Sequence, residues 1–231
     1  ASVSVSLGGL SVIFAVVLIF FYLLWVVLPL FASASLEPLG KIELDGDPGN
    51  GLYLAIEEQG ELGLRIGRDG RLEFFELATG TVRRSHDFGT PLLAVTEQNR
   101  AAGRLAALAA YGRAFVFQHK YRLSYPEGQD RVIEPRLLFP YGEEGLELTP
   151  GRSLAVRESE SALVAATAQG KTVTVQAYAR ESSFLDDEIS LEPAAPVELT
   201  LPAPVDKLLI SPLLEWLYAI DYQHGPLYYF D

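Results

Sequence analysis

Five of the 18 basic residues in this chain fall within twenty positions, at Arg65, Arg68, Arg71, Arg83 and Arg84. Guanidinium groups grip phosphate or carboxylate oxygens through paired hydrogen bonds, so this set is the candidate anion-binding group. Arg65 and Arg71 flank the turn Arg68-Asp69-Gly70, which places both on one face of a hairpin. Glu61, Asp69 and Glu73 lie in the same stretch, and ordinary surface ion pairing is the favoured account of the same arginines, which leaves them weak anion-binding candidates.

Other chemistry finds less support. His86, His119 and His224 stand apart from one another and from carboxylates at ligand spacing, and there is no cysteine. Neither a metal site nor a disulfide scaffold is expected. The carboxylate runs Glu57-Glu58, Glu143-Glu144 and Asp186-Asp187-Glu188 are adjacent in sequence, as in solvated loops. A glycosidase would need its acid and base brought together from separate strands. A quinone-dependent propeller dehydrogenase would be richer in tryptophan than a chain with only Trp216 after residue 36. No GxSxG elbow, P-loop, GxGxxG or HExxH is present. No catalytic residue and no cofactor are expected, and the chain reads as a non-enzyme. A net charge of −12 argues against nucleic acid and against adhesion to anionic lipid headgroups.

The first element that must position these residues is a membrane anchor. Ala1 to Leu36 carry no charged side chain, and Leu7 to Phe31 form a nearly unbroken apolar run. A helix of that length spans roughly 37 Å, against a hydrocarbon core of about 30 Å. Ala32-Ser33-Ala34 resembles a signal-peptidase site, yet a signal core of about 7–15 residues is much shorter than this run. A retained anchor is therefore the reading, with Tyr22 and Trp25 suited to the headgroup level. The flanks leave orientation open, because no residue before the span is charged and Glu37, Lys41, Glu43 and Asp45 follow it. The sequence contains no methionine and begins at Ala1, so an upstream flank is expected.

Residues 37–231 read as an all-β domain of propeller-like, four-stranded repeats. Leu62–Leu77, Leu105–Lys120, Leu163–Tyr178 and Leu217–Asp231 each run as a β-prone stretch, a turn closing on glycine, and an alternating strand. The turn glycines, Gly70, Gly112, Gly170 and Gly225, are separated by 42, 58 and 55 residues, the length of a propeller blade with variable loops. Further short strands are expected at Leu52–Ile56, Leu92–Thr96, Val132–Phe139, Leu146–Leu148, Val197–Leu201 and Lys207–Ile210. Asn99–Tyr111 is rich in alanine and competes as a helix, but its place before Gly112 favours strand from Leu105. A β-sandwich is the alternative fold. The propeller is expected to be incomplete, with more chain after Asp231 to close it.

Leu18-Ile19-Phe20-Phe21-Tyr22-Leu23, Val27-Leu28-Pro29-Leu30-Phe31, Leu54-Ala55-Ile56-Glu57-Glu58-Gln59 and Phe74-Phe75-Glu76-Leu77 carry a family resemblance. The segments Gly8–Phe31 and Leu52–Gly80 resemble the start of the large permease subunit of proteobacterial phosphate ABC transporters. In that family a long extracytoplasmic insertion of propeller-like repeats follows the first membrane helix. The resemblance implies a bacterial inner-membrane protein with its N-terminus in the cytoplasm and Glu37 onward in the periplasm. It implies as partners a second permease subunit, the ABC ATPase subunits and a periplasmic phosphate-binding protein, besides the lipid bilayer. The later helices that would form the pathway are not in this sequence, so no transport residue carries over. A docking or regulatory role in phosphate transport is the expectation. A single-span anchored propeller that serves as an interaction scaffold is the alternative.

Overall fold

The computed structural model describes residues 2–31, 40–42, 44, 50–126, 131–182 and 189–230, with side chains from residue 9 onward except at 182. The candidate cleavage site Ala32-Ser33-Ala34, the flank residues Glu37, Glu43 and Asp45, and the carboxylates Asp186-Asp187-Glu188 lie outside them. The chain forms two compact units, Ala1–Lys41 and Ile42–Asp231.

The first unit holds one helix, α1 (Ser2–Val27), continued by a 3-10 turn over Leu28–Phe31. Residues Gly9–Phe31 are long and apolar enough to cross a membrane. Their side chains are exposed on every side of the helix. That pattern suits a hydrocarbon solvent, in which a helix satisfies all its backbone groups internally. The α-helix stops four residues short of the expected end at Phe31. Pro29 has no N–H to donate to the carbonyl four residues back, so the last turn tightens.

The second unit consists of four antiparallel sheets formed in sequence. Sheet 1 is β1 (Gly51–Ile56), β2 (Leu62–Gly67), β3 (Arg71–Glu76) and β4 (Val82–Asp87). Sheet 2 is β5 (Leu92–Asn99), β6 (Arg104–Ala109), β7 (Arg113–Ser124) and β8 (Val132–Leu138), with β9 (Leu146–Glu147) also on β7. Sheet 3 is β10 (Ser153–Glu158), β11 (Ala162–Gln169), β12 (Thr172–Ser182) and β13 (Ile189–Pro193), with β14 (Val197–Thr200) also on β12. Sheet 4 is β15 (Lys207–Ile210), β16 (Leu217–Ile220) and β17 (Leu227–Phe230). The first strands adjoin in series, β1 with β5, β5 with β10 and β10 with β15. Consecutive meanders with their first strands side by side are the propeller-like arrangement, not two facing layers of a sandwich.

Strand alternation explains the packing between sheets. Leu64, Ile66, Leu72 and Phe74 of sheet 1 meet Leu105, Ala107, Phe115 and Phe117 of sheet 2. The opposite face of sheet 2, with Ala106, Leu108, Ala114 and Val116, packs on Leu154, Val156, Leu163 and Ala165 of sheet 3. Ala155, Ala166, Ala168 and Val173 then meet Leu208, Ile210, Leu217 and Ala219 of sheet 4. Each fully buried leucine contributes on the order of 1.5–3 kcal/mol, and the alanines allow close approach.

Candidate interaction surface

The turns between the second and third strands of all four sheets lie on one rim. In sheet 1 the turn carbonyls of Arg68 and Gly70 accept from the amides of Leu92 (2.9 Å) and Phe88 (3.0 Å), so this turn meets the start of β5. Gly112, in the turn of sheet 2, accepts from Leu148 N at 2.7 Å, just ahead of β10. Gly170, in the turn of sheet 3, accepts from Val205 N at 2.9 Å, just ahead of β15. The four turn glycines have φ of 86°, 84°, 60° and 81°, the left-handed region expected of them.

Exposed side chains line this rim: Arg68 and Asp69 in sheet 1, Tyr111 in sheet 2, Gln169 and Lys171 in sheet 3, Tyr222 and His224 in sheet 4. Tyr111 is 93% exposed and holds φ at 71°, a conformation that costs a non-glycine residue about 1 kcal/mol or more. Beside it a shallow cleft of about 380 Å³ is lined by Thr90, Ala110, Gly112, Arg113, Glu147 and Leu148. Tyr111 thus presents a large amphipathic ring to solvent beside this cleft.

The five arginines do not converge on one point. Register puts Arg65 and Arg71 on the same face of sheet 1, as the spacing implies. Arg65 donates to Glu73 Oε2 through Nε at 3.2 Å and Nη2 at 2.5 Å. Arg83 donates to Glu76 Oε1 through Nε at 2.8 Å and pairs with it again through Nη2. Thr79 and Arg83 together hold the Glu76 carboxyl below its usual range. Arg84 faces the other way and reaches the Pro135 carbonyl at 3.2 Å, bridging sheets 1 and 2. Arg68 stands exposed in the rim turn.

On the opposite rim a cleft of about 480 Å³ opens between sheets 1 and 2, lined among others by Glu57, Arg100, Gly103, His119 and Tyr121. The Glu57 carboxylate is buried and accepts from the amides of Gln59 and Glu61, both at 2.7 Å, so it shapes the β1–β2 turn. Burial, with Glu57 nearby, pushes the Tyr121 hydroxyl up to about 12. Burial also lowers His119, opposed by the Glu97 carboxylate. Neither His119 Nδ1 nor the Tyr121 hydroxyl has a hydrogen-bond partner. Sequence reasoning passed over this pair. The signal was the alternation Phe115, Phe117, His119, Tyr121, which puts both rings on the face turned to sheet 1.

The remaining candidates are structural. His86 packs between the Phe88 and Phe139 rings at 4.9 and 5.0 Å. His224 Nδ1 lies 2.7 Å from Asp221 Oδ2 within the β16–β17 turn. Among the described residues no group of three histidines or carboxylates is placed to hold a metal ion.

No protein-family model matches this chain, and no curated protein matches it. Among solved structures, the computationally designed Ika4 protein is similar over 84% of this chain and 98% of its own, at 15% identity and a TM-score of 0.44. The designed Ika8 protein is similar over 82% of this chain, which spans about half (48%) of Ika8, at 14% identity and a TM-score of 0.43. The Cps50 (Swd1) β-propeller domain of Myceliophteria thermophila is similar over 81% of this chain and 72% of its own, at 14% identity and a TM-score of 0.40.

Proposed function

We propose that this chain is a membrane-tethered docking domain, and that the assembly it serves is a phosphate ABC transporter of the bacterial inner membrane. The observation that carries the docking role is the rim of turns with Tyr111 held fully out into solvent. An apolar α1 supports the tether, and the propeller-like repeat supports a rigid platform for the turns. The transporter reading rests on the resemblance of Gly8–Phe31 and Leu52–Gly80 to the permease family. On that reading Ile42–Asp231 lies in the periplasm and contacts the phosphate-binding protein beside a second permease and the ATPase pair. The domain docks and regulates and carries out no chemical step.

The test is made in the intact permease in cells. Replacing Tyr111 and Tyr222 by Ala is expected to lower phosphate uptake or shift its regulation, with the protein level in the membrane unchanged. Removal of residues 42–231 is expected to do so more strongly. Uptake that stays the same at every phosphate level after that removal overturns the transport role. Loss of copurifying envelope proteins with uptake intact would then favour the anchored scaffold.

A further inference from the structure

The face of sheet 3 turned to sheet 2 is apolar at Leu163 and Ala165, which lie in the core between the two sheets. Nearer the rim the same face carries Thr167, Thr174 and Glu198 in one cross-strand row and Gln169, Thr172 and Thr200 in the next. Sheet 2, on its face turned to sheet 1, sets Ala107 opposite Phe115 near that rim and packs both into the core. In sheet 3 the space stays open as a cleft of about 250 Å³, lined also by Thr149 and Pro150 of the connection from sheet 2. That connection is held close. A Cβ on Gly151 would stand 2.9 Å from the Ala168 carbonyl oxygen and 3.0 Å from Thr167 Cβ, and Arg152 N donates to the same carbonyl at 2.8 Å. Thr167 and Thr174 are 2% and 5% exposed, yet their hydroxyls make no hydrogen bond with each other or with any described residue. Thr149 and Thr172 add two more unpartnered hydroxyls to the lining.

We propose that this cleft binds a small neutral polyol, of the class of a single sugar ring. A buried hydroxyl without a partner is costly, and a ligand that both donates and accepts hydrogen bonds removes that cost. The threonine hydroxyls and the Gln169 amide each donate and accept, and the Glu198 carboxylate can accept from two neighbouring hydroxyls of one ring. Other ligand classes fit less well. Among the described lining residues Glu198 carries the only charge, which repels phosphate and other anions. A single carboxylate gives a divalent cation little charge to hold it. An apolar ligand would leave every hydroxyl unpaired. The volume lies below the ~300–1,000 Å³ of drug-sized pockets, which sets the ligand at about one ring, with Pro150 as an apolar patch for its C–H face. Sheet 3 packs on sheet 2 at one face and on sheet 4 at the other, so the walls of the cleft are fixed within the described domain. The site does not rest on the docking role of the rim.

The full chain is placed in phosphatidylcholine nanodiscs, because sugar-headed detergents would compete, and is titrated by calorimetry with glucose, galactose, N-acetylglucosamine and myo-inositol. At least one of these is expected to bind once per chain with a dissociation constant below about 1 mM, and to raise the melting midpoint. Thr174→Val keeps the shape of the side chain and removes only the hydroxyl; it is expected to weaken that binding at least about fivefold, and Glu198→Ala at least about tenfold. Because the Thr174 hydroxyl has no partner, Thr174→Val is expected not to lower the melting midpoint of the sugar-free chain, and circular dichroism reports that both variants keep the fold. No saturable binding by any of the four compounds up to about 10 mM leaves a hydrated slot and overturns the proposal. Binding that Thr174→Val leaves intact places the sugar elsewhere and overturns it too. So does saturation by inorganic phosphate or calcium in place of a sugar, which would make the ligand an ion. Tyr111 and Tyr222 stand outside this lining, so none of these results bears on their docking role.

Discussion

The Tyr53 hydroxyl donates to Glu97 Oε1 at 2.8 Å, joining the first strand of sheet 1 to the first strand of sheet 2. Burial, together with that carboxylate, holds the hydroxyl protonated well above the ordinary tyrosine range. Its proton is bound more tightly folded than unfolded, so the contribution is complete below about pH 10 and is lost as pH climbs above it. Tyr53→Phe is expected to cost about 1 kcal/mol at neutral pH, the net worth of one hydrogen bond. Urea unfolding measures this, and the variant should also lose stability less steeply between pH 10 and 11. An unchanged midpoint would show that the pair contributes nothing to the junction.

His119 acts at the other end of the pH scale. Its folded-state pKa is depressed by burial, so below about pH 6.5 the unfolded chain takes up a proton that the folded chain resists. Stability is therefore expected to fall as the pH drops from 7 to 5, and His119→Gln is expected to flatten that part of the profile. Thermal melts of both proteins at half-unit pH steps check it. Parallel profiles would assign the acid sensitivity to other groups.

Gly70 and Gly170 occupy equivalent turns but differ in their surroundings. A Cβ on Gly70, at φ 86°, would run into the Thr90 carbonyl, whereas the space around Gly170 is open. Gly170→Ala should cost only the left-handed backbone strain, about 1 kcal/mol. Gly70→Ala must also move the β4–β5 connection, and a loss of at least about 2 kcal/mol is expected. Denaturation midpoints of the two variants compare them directly; equal losses would mean that the Thr90 contact yields freely.

The architecture was legible where local rules govern. The four glycine turns, the hairpins around them and the strand from Leu105 all follow from alternation and from the need for positive φ. β4 was missed because Val82–Asp87 reads as polar loop, and it is a strand because β3 offers it an edge. β10 and β13 were missed as well; β13 forms on the far end of the long β12, whose near end holds β14. Spacing placed Arg65 and Arg71 on one face. It could not reveal that Arg65 and Arg83 are committed to Glu73 and Glu76, since such pairing depends on which strands become neighbours. The rim was hidden for a related reason. Tyr111 and Tyr222 are 111 residues apart in numbering and share a surface only because every sheet repeats the same order.

That order has a consequence in time. Among the described residues, sheets 1 to 3 are each built from one continuous stretch of chain and take no strand from a later stretch. As the polypeptide emerges, sheet 1 can form before residue 92 appears, and each new sheet finds the apolar face of its predecessor waiting as a template. Assembly then runs as a ratchet from one end to the other, with never more than one unfinished surface at the growing tip.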